Sequence, residues 1–216
     1  MAKSKLANSN PSFGGSPRDQ STYSESENIV RQTVQHNLEV GEKLSSACIS
    51  SILEAARIVS EAVLEGRKVL AFGNGGSAAD AQHLAAELVG KFGRVRRPLK
   101  ALALTTDTSV LTALGNDFGF EEIYSRQVKA FADKDDVVIA ISTSGRSRNV
   151  LRGVEEARKC SAKTIGLTGA DGGDLMKMCD HIISIPSDDV QRIQECHVLV
   201  SHIICELVER ALAEQE

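Results

Sequence analysis

Apolar residues recur at steps of three and four between residues 25 and 67, and this spacing predicts amphipathic helices. A second apolar group, over residues 44–64, lies between Gly41 and Gly66. Because glycine is a poor helix former and is common just past helix ends, we predict two helices, separated at Gly41 and ended by Gly66. The first apolar group is Ile29, Val30, Val34 and Leu38.

Beyond residue 67, short apolar runs alternate with helical segments. The runs are residues 68–72 (KVLAF), 100–104 (KALAL), 136–141 (DVVIAI), 163–167 (KTIGL) and 181–185 (HIISI). Strands that are apolar on both faces and separated by helices are typical of a parallel sheet covered on both sides. The prediction is an α/β fold: a doubly wound sheet of about five parallel strands, flanked by helices and preceded by the N-terminal helices. A last helix is predicted over about residues 190–213.

The first 26 residues differ from the rest of the chain. They contain seven serines and two of the four prolines, with almost no apolar periodicity. Such a segment cannot bury enough apolar surface to offset the entropy of ordering it. We therefore predict a disordered head over residues 1–26 and one domain over residues 27–216.

Composition narrows the function classes. The net charge is −4, from 25 basic and 29 acidic side chains, whereas binders of nucleic acid or of anionic membranes usually carry a net basic field. No run approaches the roughly 18 apolar residues of a membrane span, and no secretory segment is visible. The five cysteines are scattered without a CxxC pair, which argues against a disulfide framework or a thiolate zinc site. We expect a cytoplasmic protein without nucleic-acid or membrane partners.

Ligands of doubly wound sheets bind beyond the carboxyl ends of the strands, so the residues after each strand are candidates. The first strand leads into Gly73-Asn74-Gly75-Gly76-Ser77, a glycine-rich turn that is more often a tight connection than a binding loop. The third leads into Ser142-Thr143-Ser144-Gly145-Arg146-Ser147. There, four hydroxyls meet a predicted helix N-terminus, which suits a phosphate ester held without a metal, whereas an ordinary N-cap needs only one hydroxyl.

Two further groups carry candidate chemistry. Asn116 and Asp117 lie in a glycine-flanked segment of the kind that usually forms turns. His83 and Glu87 are four residues apart on the helix after the first strand, hence on one face. There they could share a divalent metal or act as an acid–base pair, and the alternative is a solvated helical pair.

The last helix offers two histidines near Gln194. His197 is three residues away and is the easier partner by spacing. His202 is eight residues away, about 12 Å along the axis. Spacing alone leaves both open.

Taken together, these segments resemble the sugar isomerase (SIS) family, and in particular its phosphoheptose isomerase branch. The resemblance covers the chain from about residue 25 to the end. It is carried by GNGGSAADAQHLAAEL (73–88), LGNDFGFEEIYSRQV (114–128), AISTSGRSRNV (140–150), LTGADGG (167–173) and RIQECHVLVSHIICELVE (192–209). Some members have Asn at the position of Arg146 and Asp at the position of Gln191. We assign no catalytic role to Gln191.

The resemblance implies a homotetramer with active sites at subunit contacts and one zinc per subunit. By motif position, the metal ligands would be His83, Glu87, Gln194 and His202. The substrate contacts would be Asn74, Gly75, Gly76, Glu87, Asn116, Asp117, Ser142, Thr143, Ser144, Ser147 and Gln194.

The reaction implied is the interconversion of sedoheptulose 7-phosphate and D-glycero-D-manno-heptose 7-phosphate through an enediolate, feeding ADP- or GDP-heptose biosynthesis. Such a reaction needs a group that moves the carbon proton and another that serves the oxygens. We assign Glu87 as the base and His202 as the acid.

Two other functions stay open on the sequence. A non-catalytic SIS relative that binds the bacterial replication initiator shares RIQE and the phosphate loop, but it lacks the acidic residue at the Glu87 position and the histidine at the His202 position. An isomerase or sensor for another sugar phosphate would carry the same hydroxyl-rich loop. The basic stretch over residues 91–100 is either a solvated loop or a contribution to a neighbouring subunit's phosphate site.

Overall fold

The computed structural model describes residues 17–215, with side chains from residue 22 onward. Their contacts form one unit that ends at Leu38 and another that begins at Glu39. The helices are α1 (Pro17–Ala47), α2 (Ile49–Leu64), α3 (Gly76–Val89), α4 (Thr108–Phe118), α5 (Ser125–Phe131), α6 (Arg148–Lys159), α7 (Leu175–Met178) and α8 (Val190–Ala213). The strands are β1 (Val69–Gly73), β2 (Ala101–Ala103), β3 (Val137–Ile141), β4 (Lys163–Thr168) and β5 (His181–Ser184).

The strands form one parallel sheet in the order β2-β1-β3-β4-β5. Every residue of β1 and β3 is buried, as their continuous apolar runs predict for central strands covered on both faces. The chain moves outward from β1 to β2 and then returns to β3 on the other side of β1. The strand order therefore reverses between β1 and β3, which is where a doubly wound sheet binds its ligand. The predicted α/β fold is confirmed.

Two hydrophobic clusters cover the faces of the sheet. One joins α2, α3 and α8 to one face through residues such as Val59, Leu84 and Val200. The other joins α5 and α6 to the opposite face through residues such as Val128 and Val154. Because α3 and α8 lie on the same face, their side chains can meet beside the switch point.

The predicted helix break at Gly41 is wrong. Helix α1 continues through Gly41 and ends at Ala47, and the irregular residue is Cys48, with φ −112° and ψ 0°. A glycine inside a helix costs only about 1 kcal/mol relative to alanine, which neighbouring turns can offset. The Cys48 amide still donates to the Leu44 carbonyl at 2.9 Å. The chain therefore passes from α1 to α2 through a bend at Cys48, without a separate loop.

The start of α1 also differs from the predicted boundary. Helix α1 begins at Pro17, so residues 17–26 of the predicted head are helical. Within this helix, Glu27 pairs with Arg31 one turn later at 2.6 Å, the spacing at which opposite charges support a helix. Residues 1–16 lie outside the described residues, where the disordered head stays a prediction. Among the described residues, every helix is too short or too polar to cross a membrane.

Two buried titratable groups respond to pH in opposite directions. His197 is fully buried and its Nε2 faces the Thr168 carbonyl at 3.3 Å. Burial lowers the pKa of His197 to about 4 and outweighs that hydrogen bond. Burial also raises the pKa of Asp80 to about 6, partly offset by the nearby His83. Between about pH 4 and pH 6, the folded protein therefore keeps His197 unprotonated and Asp80 protonated.

Replacing His197 should change how stability depends on pH. Between about pH 6.5 and pH 4 the unfolded chain takes up a proton at His197 that the folded chain refuses, so acidification through this window lowers the free energy of unfolding. His197→Gln keeps an N–H donor for Thr168 but does not titrate, and Asp80 contributes equally to both proteins. Urea titrations should therefore show the variant gaining roughly 2–3 kcal/mol relative to wild type between pH 7 and pH 4. Parallel stability curves would contradict this account of His197.

Candidate active site

The turn after β1 is held against the start of α6. The Asn74 and Asn149 amides exchange two hydrogen bonds, each of 2.8 Å, across the gap between them. Gly75 has φ +56°, a left-handed conformation that favours glycine, and it is the N-cap of α3. The two loops at the switch point thus form one rigid surface.

Tyr124 packs behind this surface and hydrogen-bonds to the turn after β1. Its hydroxyl donates to the Gly73 carbonyl at 2.5 Å, and its ring stacks on Phe72 with centroids 4.8 Å apart. Burial raises the pKa of Tyr124 to about 12, so the hydroxyl stays a donor at neutral pH. Sequence reasoning missed Tyr124 and Asn149, although Asn149 follows the hydroxyl-rich loop directly and its position in AISTSGRSRNV was a signal.

The loop after β3 presents its hydroxyls around the start of α6. Ser142 is buried and donates to the Ser147 Oγ at 3.2 Å, and the Ser144 Oγ accepts from the Arg146 amide at 3.3 Å. Gly145 has φ +62°, and a Cβ there would overlap the Gly172 carbonyl of the next loop. The loop after β4 therefore fixes the path of the hydroxyl-rich loop.

Helices α3 and α6 differ from α4 and α8 in the side chains at their N-caps. The Asp107 carboxylate caps α4 by accepting from the Val110 amide, and the Asp189 carboxylate caps α8 by accepting from the Gln191 and Arg192 amides. The N-caps of α3 and α6 are Gly75 and Ser147, and neither provides a side-chain hydrogen bond to its helix. Both helices thus begin at the switch point without the anionic cap that a helix N-terminus favours.

Arg146 forms an ion pair with the loop after β4. Its guanidinium pairs with Asp171 of the loop after β4 at 2.6 Å, and both side chains are more than half exposed. This hydrogen bond raises the pKa of Arg146 and lowers that of Asp171. The pair links the loop after β3 to the loop after β4.

Three side chains from α3 and α8 meet in one cluster. The His83 Nε2 lies 3.2 Å from the Glu87 Oε1 and 3.2 Å from the His202 Nε2. All three ligand atoms lie within 4.8 Å of one another, and they could hold a metal ion. The imidazole rings of His83 and His202 meet edge to face, with centroids 4.8 Å apart. The cluster is partly open: 44% of the His83 side chain and 25% of the Glu87 side chain are exposed.

Of the two histidines in α8, His202 reaches the cluster. His197, the easier partner by spacing, lies on the buried side of α8 against the end of β4. Gln194 packs on the first turn of α3, where its amide occupies the space that a Cβ at Gly76 would need. The structure therefore brings together His83, Glu87 and His202, and it places Gln194 at the N-terminus of α3.

Asn116 and Asp117 are placed in the last turn of α4 and not in a loop. Both are exposed, and the Asn116 amide donates to the Asp117 carboxylate at 2.7 Å. Gly119 follows the last residue of α4 and has a φ of +92°, which favours glycine. The turn predicted at Asn116 and Asp117 is therefore wrong, because α4 continues through both residues to Phe118.

Most of the basic stretch is bound within its own chain. Arg96 is buried, Arg97 donates to the Val63 carbonyl at 2.9 Å, and Lys100 donates to the Gly66 carbonyl at 3.0 Å. Lys91 and Arg94 are exposed. Arg97 and Lys100 are nevertheless exposed, so the solvated-loop interpretation holds for the basic side chains of the stretch except the buried Arg96.

Comparison with known proteins agrees with this architecture. A family model described as the SIS domain matches residues 34–169. The phosphoheptose isomerase of Aquifex aeolicus (strain VF5) is 50% identical over 86% of this chain and 97% of the relative. The solved structure of phosphoheptose isomerase GmhA from Neisseria gonorrhoeae covers 85% of this chain and 98% of its own, with a TM-score of 0.81 and 38% identity. A phosphoheptose isomerase from Francisella tularensis gives a TM-score of 0.81 at 36% identity, covering 86% of this chain and 98% of its own.

The fold and the matched model define a protein of the SIS domain class. Within that class, the chain belongs to the phosphoheptose isomerase family and is an enzyme of the sugar-phosphate isomerase type. The resemblance and the enzyme prediction are confirmed, and the non-catalytic alternative is not supported.

Filling the space beneath Gln194 should impair the enzyme. In Gly76→Ala the new Cβ must displace the Gln194 amide, and displacements of about 1 Å in a site can cost up to 100-fold in rate. We expect kcat/KM for the sugar phosphate to fall by about tenfold or more. The matched control is Gly41→Ala, another helical glycine, where a Cβ meets nothing within 4 Å and activity should be unchanged. Equal activity of the two variants would argue against a role for Gln194.

Proposed function

We propose that this enzyme interconverts sedoheptulose 7-phosphate and D-glycero-D-manno-heptose 7-phosphate, with zinc as its metal, and that it supplies heptose for ADP- or GDP-heptose biosynthesis. The observation that carries the proposal is the cluster of His83, Glu87 and His202, an acid–base and metal-ligand set drawn from two helices. The name of the relatives, phosphoheptose isomerase, supports the seven-carbon substrate.

The substrate phosphate is assigned to the start of α6. Ser142 and Ser147 hydrogen-bond to each other beside a helix N-terminus that has no side-chain cap, and Thr143 and Ser144 belong to the same loop. Backbone amides and the positive end of the helix dipole favour an anion there. Asn74, Gly75 and Gly76 lie across the switch point and are assigned to the sugar chain, while Asn116 and Asp117 stay predicted substrate contacts.

The cluster of α3 and α8 fits zinc. Two ligands about 2.0–2.1 Å from a tetrahedral zinc are about 3.3 Å apart, close to the two separations of 3.2 Å around the His83 Nε2. That nitrogen faces two groups but carries at most one proton, so a cation satisfies the set better than a proton does. His83, Glu87 and His202 would hold the ion. Gln194 packs against Gly76, which is about 10 Å from His83 along α3, so its place among the ligands stays a prediction and its contact with substrate is favoured.

The proton transfer is assigned to Glu87 and His202. When bound, zinc would act as a Lewis acid toward the substrate carbonyl. Glu87 directs Oε1 toward His83, and we assign Oε2 to the proton that leaves the carbon next to the carbonyl. The proton then returns to the neighbouring carbon of the enediolate. Because the His202 Nε2 would hold the ion, we assign the exchange of the oxygen proton to its Nδ1, and the two roles are reversed in the other direction.

A homotetramer with sites at subunit contacts is part of the proposal, as is the cytoplasmic location. Large apolar side chains on α1 and α2 support association because they are more than half exposed in the single chain. These residues are Ile29, Val30, Val34, Leu38, Ile49 and Leu53.

Removing either proton-transfer group should abolish turnover. In Glu87→Gln and in His202→Ala, kcat with sedoheptulose 7-phosphate should fall by about 10²–10⁴-fold, the usual value of a positioned acid or base. In D₂O, the wild type should also exchange deuterium into the carbon next to the carbonyl, and Glu87→Gln should not.

The control for this pair is Glu206→Gln, one turn beyond His202 on the exposed face of α8, where the carboxylate pairs with Arg210. Its kcat should match the wild type. If either test variant keeps near-normal kcat and the wild-type assembly, the assignment of that residue is wrong. A panel of pentose, hexose and heptose phosphates scored by kcat/KM tests the substrate, and a preference for a shorter sugar would overturn the heptose assignment.

Loss of a loop hydroxyl should weaken phosphate recognition selectively. Ser147→Ala removes a group at the N-cap of α6, and a hydrogen bond to a charged partner contributes about 1.5–3 kcal/mol. KM for sedoheptulose 7-phosphate should therefore rise at least about tenfold. The control Ser46→Ala, an exposed serine on α1 that bonds its own helix, should not change KM. An unchanged KM in Ser147→Ala would remove this hydroxyl from the phosphate site.

A further inference from the structure

A buried carboxylate on α8 organises the loop that leaves α3, residues 90–98. The Glu209 Oε1 accepts from the Phe92 amide at 2.8 Å, and its Oε2 accepts from the next two amides at 2.9 Å each. Only 6% of this side chain is exposed. Burial alone would raise the pKa of Glu209, but the three amides and Arg96 outweigh it and hold the pKa below its usual range. Glu209 is therefore a buried anion.

Arg96 joins this anion to the end of α3. Its Nε lies 3.1 Å from the Glu209 Oε1, and only 5% of its side chain is exposed. Its Nη2 donates to the Glu87 carbonyl at 2.8 Å and its Nη1 to the Leu88 carbonyl at 2.9 Å. These carbonyls belong to the last turn of α3, which lacks partners inside the helix and attracts a cation.

The ion pair thus acts on both helices of the His83–Glu87–His202 cluster. Arg96 binds the backbone of Glu87 itself. Glu209 follows His202 by seven residues, two turns along the same face of α8. The ring of Phe92, whose amide Glu209 holds, lies 5.5 Å from the His202 ring.

We propose that the Arg96–Glu209 pair is a positioning device that sets the separation of Glu87 and His202 and thereby the affinity of the cluster for a divalent cation. The inference rests on the proposed metal site. Neither residue touches the reacting atoms, so both are positioning residues. A pair that served stability alone would leave the metal affinity of the folded protein unchanged.

The chain offers a matched control at the other end of the sheet. Asp136 is 1% exposed and pairs with the Lys68 Nζ at 2.9 Å. It also accepts from the backbone amides of Lys68 and Asp133. Because Asp136 precedes β3, while the site follows the carboxyl end of β3, Asp136→Asn removes a similar buried anchor without touching α3 or α8.

The first measurement is the zinc dissociation constant, from competition with a chromophoric chelator, on variants shown to be folded by circular dichroism. Glu209→Gln should weaken zinc binding by about 10–100-fold, the usual effect of losing a group that orients metal ligands. Arg96→Lys keeps the charge but loses the planar fork that reaches two carbonyls, so a smaller loss is expected. Asp136→Asn should keep the wild-type constant. Wild-type zinc affinity in Glu209→Gln, or in Arg96→Lys if the first variant does not fold, would overturn the proposal.

The second measurement needs no metal. The imidazole NMR signals of His83 and His202 in the zinc-free protein report the surroundings of the two rings. They should shift in Glu209→Gln and Arg96→Lys and stay in place in Asp136→Asn. If the wild type binds no zinc but the signals shift in the two variants, the metal assignment is wrong and the positioning role stands. If the signals do not shift, the positioning role itself is wrong.

Discussion

Helices α3 and α8 pack along one another, and the distance between them decides which side chains of the site can meet. At the start of the contact, the Gln194 amide lies where a Cβ at Gly76 would be. Two turns later, the rings of His83 and His202 meet. Helix α3 reads GSAADAQHLAAELV, and small side chains of this kind allow helix axes to approach closely. A bulkier α3 would move the two imidazoles apart, and the cluster would no longer share one ion.

The electrostatics of the site are local and oppose the charge of the whole chain. A net charge of −4 does not attract an anionic substrate. Helices α4 and α8 begin with aspartate caps, whereas α3 and α6, which begin at the switch point, have Gly75 and Ser147 in that position. A glycine N-cap costs only a few tenths of a kcal/mol relative to aspartate, and serine is about as good a cap as aspartate, so the free protein loses little stability by lacking the anionic cap. In the proposed site, the substrate phosphate would supply the negative charge that these two helix N-termini lack.

The sequence predicted the parts of the structure that follow from local pattern. The five strands lie within one or two residues of their apolar runs, and the hydroxyl-rich loop lies where β3 ends. The break at Gly41 was wrong because a single propensity penalty is small beside the surrounding helical turns. Spacing could not choose between His197 and His202, since only the packing of α8 shows which face reaches α3. The contact of Tyr124 with Gly73 spans 51 positions in the chain, and no local pattern encodes it.

The Arg96–Glu209 pair shows why an ionic contact would be kept where an apolar one could stabilise the fold as well. Buried ion pairs often contribute little net stability, because the cost of removing two charges from water offsets their attraction. The hydrogen bonds of such charged side chains add a directional constraint. A carboxylate that accepts from three successive amides fixes the path of the 90–98 loop, and a guanidinium that donates to two adjacent carbonyls fixes the end of α3. Apolar side chains in the same space would tolerate sliding of α3 along α8, because dispersion contacts have no preferred direction. The proposed metal site requires the separations of 3.2 Å around the His83 Nε2 to be kept, and we assign that task to the hydrogen bonds that Glu209 and Arg96 make with the backbone.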